Sequence, residues 1–136
     1  MHRFRRAVLG TALILSLAVM FSLGIGGTGR AQSVPAKPAD TAKGKALVDG
    51  KGMTLYVFDR DSTGKSACNG PCAANWPPLL APADAKSSGD WSVVTRDDGA
   101  KQWAYKGKPL YAFSKDAHAG DASGEGVNNV WHIAAP

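Results

Sequence analysis

Hydrophobic and polar positions change their pattern several times along the chain. Residues 7–27 are apolar or small and carry no charge. Residues 32–42 (QSVPAKPADTA) and 81–90 (APADAKSSGD) are small, proline-bearing and aperiodic, which predicts a flexible lead and a surface loop. Between and after them lie short blocks of strand-forming residues. Lys45–Asp49 is partly apolar, Gly50-Lys51-Gly52 signals a turn, and Met53–Phe58 returns as a strand. Trp91–Arg96 alternates, with Trp91, Val93 and Thr95 on one face, and leads through Asp97-Asp98-Gly99 into Lys101–Tyr105. Lys106-Gly107 turns the chain again, Leu110–Phe113 returns, and a last strand is expected near Asn129–Ala134. No strong amphipathic helix is expected after residue 31. The pattern predicts an all-β domain of about six short strands with long loops.

The strand blocks repeat. Sliding the sequence by 55 positions places Lys51, Gly52, Leu55, Tyr56, Phe58, Asp61, Ala67 and Trp76 on Lys106, Gly107, Leu110, Tyr111, Phe113, Asp116, Ala122 and Trp131 without a gap. Tyr-x-Phe-x-x-Asp followed at one fixed distance by Trp predicts two diverged copies, about 45–80 and 100–135, related by an approximate internal twofold. Alternation puts Tyr56 and Phe58 on one face of a strand and Leu55 and Val57 on the other. Tyr111 and Phe113 oppose Leu110 and Ala112 in the same way.

The apolar N-terminal run changes the reading of charge and compartment. It follows a basic start, His2-Arg3-Phe4-Arg5-Arg6, and precedes Gly29-Arg30-Ala31, a small-x-small pattern. This reads as a signal peptide, 1–31, cleaved after Ala31. An uncleaved membrane anchor is the alternative; the glycines from Gly24 onward and the cleavage pattern speak against it. Four of the 16 basic residues leave with the signal, which leaves 12 against 11 acidic ones, a net charge of +1. Nothing in that balance suggests nucleic acid as a partner. No cysteine stands at the cleavage site, so lipid attachment at the new N-terminus is not expected. The mature domain, 43–136 behind its lead, should then be periplasmic or secreted, with no membrane span. The roughly 105 residues of the mature chain, 32–136, suffice for one modest core.

Candidate chemistry is sparse. Cys68 and Cys72 are the only cysteines, and Asn69-Gly70-Pro71 between them favours a tight turn. In an exported chain this predicts a disulfide, whose small ring stabilises by only about 2 kcal/mol. A structural staple is the favoured role; a redox pair or a soft-metal site, copper above all, is the alternative. Asp61 and Asp116, just after the strands, are expected to accept bonds from turn N–H groups. The paired aromatics are expected to pack in the core, or else to line a ligand groove with their hydroxyls at a wet edge. On that second reading Tyr56, Phe58, Asp61, Tyr111, Phe113 and Asp116 form the candidate ligand site. Trp76-Pro77-Pro78-Leu79-Leu80 should be extended, with Trp76 closing the core as Trp131 does in its copy. No catalytic residues, no metal ligands and no cofactor are assigned. There is no nucleophile elbow, phosphate loop or His-Glu-x-x-His, and an enzyme is the less favoured class.

Leu55–Asp61, Cys68-x-x-x-Cys72, Trp76–Leu80 and Leu110–Asp116 together resemble the bacterial secreted-repeat family, whose members are often called lipoproteins with a Yx(FWY)xxD motif. The similarity spans roughly residues 43–134. It implies a small cell-envelope protein and carries no assigned reaction. Many members bear a lipid-attachment cysteine after the signal, where this chain has Ala31-Gln32. The expected role is an envelope module that binds an unknown small ligand or an envelope protein partner; the alternative is a periplasmic redox or copper-binding protein using Cys68 and Cys72.

Overall fold

A computed structural model of the chain describes residues 34–136; the signal-peptide segment lies outside the described residues. Two hairpins start the two copies. Strands β1 (Lys37–Thr41) and β2 (Gly44–Val48) pair antiparallel from Lys37↔Val48 to Thr41↔Gly44. The next turn is fixed by Asp49, whose Oδ1 accepts the Lys51 and Met53 N–H groups. Gly52 closes it at φ 80°, a backbone region open to glycine. Strand β3 (Tyr56–Phe58) follows. A loop then leads to one short helical turn, α1 (Pro71–Asn75), with Pro71 at its start, where a missing N–H costs nothing. After Trp76 the chain is extended, bridging from Pro78 to Tyr111 and from Leu80 to Gln102. Beyond the 81–90 loop come β4 (Trp91–Thr95), β5 (Lys101–Tyr105), β6 (Lys108–Pro109) and β7 (Trp131–Ile133). Strands β4, β5 and β6 form one antiparallel sheet and β3 pairs with β7.

The all-β reading holds, with seven strands among the described residues where six were expected. The expected Leu110–Phe113 strand keeps only bridges at Tyr111, its regular pairing falling just before it in β6, and the wholly unexpected strand is β1, inside the stretch read as a flexible lead. Its burial alternates weakly and its composition (KPADT) has no apolar stripe. It is a strand because its backbone pairs with β2, an interaction that leaves no mark in side-chain hydrophobicity. Shifted by 55 positions, it falls on 92–96. The Trp91–Arg96 strand is therefore not an addition to the second copy but the counterpart of β1, and both copies begin earlier than the aromatic motif suggests. Regular pairing over Met53–Phe58 is also shorter than expected, β3 covering only its last part.

The internal twofold passes between Tyr56 and Tyr111. The Tyr56 N–H donates to the Tyr111 carbonyl at 2.8 Å, and the Tyr111 N–H returns a bond to the Tyr56 carbonyl at 3.0 Å. Each copy then sends its last segment into the other. Leu79 N–H of the first copy donates to Leu110 O (2.9 Å), and Ala134 N–H of the second donates to Leu55 O (2.8 Å). Strand alternation sorts the side chains into two cores. Leu47, Leu55, Leu110, Ala36 and Ala134 form an aliphatic cluster; Tyr56, Tyr111, Phe113, Trp76, Trp131 and Cys68 form an aromatic one. Within the latter four rings stack in the order Phe113, Trp76, Trp131, Phe58, with centroids 4.0, 3.8 and 4.2 Å apart. The two tryptophans at the centre are nearly parallel, 3° apart. Tyr56 stands edge-on to Trp76 and Tyr111 edge-on to Trp131.

Candidate functional site

The tyrosines and aspartates of the motif meet crosswise. Tyr56 of the first copy donates its hydroxyl to Asp116 Oδ2 of the second at 2.6 Å. Tyr111 of the second donates to Asp61 Oδ2 of the first, also at 2.6 Å. The other oxygen of each carboxylate is held locally: Asp61 Oδ1 accepts the Ala67 N–H at 2.7 Å, and Asp116 Oδ1 accepts the Ser123 N–H at 3.0 Å and the Ser123 hydroxyl. Tyr56 and Tyr111 are completely buried. Burial, then the bonded carboxylate, pushes both phenols well above their usual pKa, so each is a neutral donor. Burial raises the Asp61 carboxyl; the Ala67 N–H, the Tyr111 hydroxyl and the Arg96 charge oppose it. Of the six candidate ligand residues, Tyr56, Tyr111, Phe113 and Asp116 therefore face one another inside the protein, while Phe58 and Asp61 reach a surface cleft.

Arg96, which the sequence did not single out, is buried behind the Tyr111–Asp61 pair. Its Nη1 donates to Ser66 Oγ (3.0 Å) and Gln102 Oε1 (2.7 Å), and its Nη2 donates to the Cys68 carbonyl. Ser66 Oγ lies 2.6 Å from the Tyr111 hydroxyl. Since Tyr111 gives its proton to Asp61, Ser66 donates to Tyr111, and a chain Arg96–Ser66–Tyr111–Asp61 runs from the interior to the first-copy loop. Gln102 extends it by donating to the Leu110 carbonyl at 2.7 Å. A buried guanidinium must have its donors satisfied; here they tie the cysteine loop to β4 and β5. The only sequence signal was a charged residue closing an apolar strand. Cys68 and Cys72 are disulfide-bonded, Cys68 fully buried and Cys72 partly so.

Two clefts open side by side next to β3. One, about 220 Å³, is lined by Val57, Phe58, Asp59, Asp61, Thr63 and Lys108 among others. Its neighbour, about 360 Å³, is lined by apolar Val57, Leu110 and Ile133 and by Lys106, Lys108 and His132. Val57, Asp59 and Lys108 belong to both. His132 Nε2 lies 2.9 Å from Asp59 and its Nδ1 lies 3.4 Å from Glu125. Desolvation alone would lower the imidazole pKa, but the two carboxylates outweigh it and the net shift is upward. Glu125 also accepts the Ile133 N–H at 2.5 Å, which holds the cleft wall in place. Lys106 sits 5.2 Å over the Tyr105 ring. Among the described residues no cluster of His, Cys, Asp and Glu could hold a metal ion, and no helix is long and apolar enough to cross a membrane.

Residues 37–80 and 92–135 each match a family described as a secreted repeat of unknown function. The chain belongs to this family. No curated protein and no solved structure matches it. The two matched segments begin 55 positions apart, the register already read from Tyr-x-Phe-x-x-Asp. They start at β1 and just inside β4, as the hairpin correspondence requires. Each secreted repeat thus comprises a hairpin, a Tyr-x-Phe strand, an Asp-anchored loop and a Trp-bearing segment donated to its sister. Membership in a secreted family makes this an exported protein.

Proposed function

We propose that this secreted repeat protein is a non-catalytic binding module of the cell envelope, and that its ligand occupies the paired clefts around Val57, Asp59 and Lys108. The observation that supports the reading is the continuity of the clefts, which share those residues and combine an apolar floor with charged groups at the rim. That combination suits a small ligand with an apolar body and an anionic group: Val57 and Ile133 contact the body, backed by the buried Leu110, and the Lys106 and Lys108 ammonium groups contact the anion. Phe58 and Asp61 keep their place in the candidate ligand site; Tyr56, Tyr111, Phe113 and Asp116 support it from within. On the same reading the mature protein begins at Gln32, is not lipid-anchored and works in the periplasm or outside the cell. Intact mass of the exported protein tests this, an acylated or uncleaved chain refuting it.

A redox or copper role for Cys68 and Cys72 is the second reading. Arg96 favours it, since a guanidinium at the Cys68 carbonyl would stabilise a thiolate. Full burial of Cys68 weighs against it, because exchange needs an accessible sulfur. Amide chemical-shift mapping against a panel of small apolar carboxylates and phosphates separates the two. Shifts at Val57, Lys108 and Ile133 that vanish in Lys108→Glu are expected. Stoichiometric Cu(I) binding to the reduced protein, with no shift at the cleft, would transfer the function to the cysteines.

A further inference from the structure

The tyrosine–aspartate bonds and the ring stack at the twofold join one repeat to the other. Tyr56 bonds Asp116 and Tyr111 bonds Asp61; Phe58 stacks on Trp131 and Phe113 on Trp76. The hairpin turns follow the same rule. A Cβ at Gly107 of the second repeat would lie 2.9 Å from Thr63 of the first, and a Cβ at Gly52 of the first would lie 3.0 Å from Ala119 of the second. Gly64 N–H donates to Gly107 O and Gly120 N–H to Gly52 O. Each repeat therefore carries a surface complementary to the other repeat, and the covalent link between them is only the 81–90 loop. We propose that this interface has a second partner, another copy of the same chain: the first repeat of each molecule closes on the second repeat of the other, giving an exchanged dimer with twofold symmetry.

Nothing in the interface distinguishes the chain's own second repeat from a neighbour's, so exchange conserves every contact outside the loop. Loop length decides which pairing wins. Leu80 and Val94 both pair with Gln102, on opposite sides of β5, while Trp91 pairs with Tyr105 at the other end of that strand. From Leu80 to Trp91 is thus two strand spacings across and three residues along, about 14 Å. The loop covers this with slack, and an intramolecular partner at an effective concentration on the order of millimolar keeps the chain monomeric at micromolar concentration.

Deleting Pro82–Gly89 leaves Ala81 and Asp90 to span the gap, a reach of at most about 11 Å. Closure within one chain then requires Leu80 to leave its pairing with Gln102, so exchange, which keeps that pairing, is favoured. The expected product of the full mature chain carrying this deletion is a folded dimer by light scattering, whose amide spectrum matches the wild-type monomer except around 80–91. A folded monomer, or a dimer whose shifts fall on a contiguous outer surface, overturns the proposal. Should the deletion prevent folding, refolding of the wild-type chain decides. Refolded at about 1 mM, near the effective concentration, roughly half should emerge as dimer, against monomer alone at micromolar concentration; monomer alone at both overturns it.

Discussion

Removing one tyrosine hydroxyl tests the crossed arrangement directly. In Tyr56→Phe the ring and its edge contact with Trp76 remain, while the bond to the Asp116 carboxylate is lost. A buried hydrogen bond to a charged group contributes about 1.5–3 kcal/mol. The Gly124 N–H, which donates to the Tyr56 hydroxyl at 3.2 Å, also loses its acceptor. Asp116 retains the Ser123 N–H and hydroxyl, which limits the damage. The expected cost is about 2–3 kcal/mol, a fall of roughly 10–20 °C in Tm for a domain of this size. Tyr111→Phe should cost less, about 1.5–2 kcal/mol, because Asp61 is more exposed and Ser66 keeps its bond from Arg96. Double-mutant cycles by urea denaturation then assign the partners. Tyr56→Phe with Asp116→Ala should couple by at least about 1 kcal/mol, and Tyr56→Phe with Asp61→Ala by less than about 0.5 kcal/mol. Equal coupling to both aspartates, or none to Asp116, would refute the crossed pairing.

Leu55→Ala and Leu110→Ala occupy matched, fully buried positions, and each should lower stability by about 2–5 kcal/mol in chemical denaturation; an unmoved midpoint for either would break the equivalence of the repeats. Gly124→Ala would place a Cβ 2.7 Å from Trp76 Cη2 and 2.8 Å from Tyr56 Cε1. Two packed rings cannot yield there, so a loss of about 1–3 kcal/mol is expected from overpacking, while wild-type stability would show that the stack shifts freely. The raised His132 pKa means that its bridge to Asp59 and Glu125 contributes fully below the unfolded value of about 6.5 and is lost as pH rises through the higher folded value. Stability should therefore gain slightly between pH 8 and 6, by no more than about 1 kcal/mol for so exposed a pair; His132→Ala should abolish the gain, and an unchanged slope would exclude the histidine as its source.

Much of this protein was written in one dimension. The repeat register came from matched residues 55 positions apart, because copies of one motif keep their spacing even as their surroundings diverge. Alternation within Leu55–Phe58 and Leu110–Phe113 separated an aromatic face from an aliphatic one, and those faces became the two cores. The tight Cys68–Cys72 turn and the 81–90 loop were likewise local matters of glycine, proline and cysteine chemistry. Partnership was not local. A tyrosine five residues before an aspartate could bond its own or its sister's; only the antiparallel contact of Tyr56 with Tyr111 sends each hydroxyl across the axis. Strand β1 escaped notice because backbone pairing requires no apolar side chain. Arg96 and Gln102 escaped because polar residues on strands usually face water; the burial of Arg96 depends on a loop more than twenty residues earlier arriving to accept its bonds, and Gln102 is satisfied by Arg96 and the Leu110 carbonyl. The candidate clefts are tertiary in the same sense. Val57 and Lys108 sit far apart in the chain, and the folding of one repeat against the other brings them to a common wall.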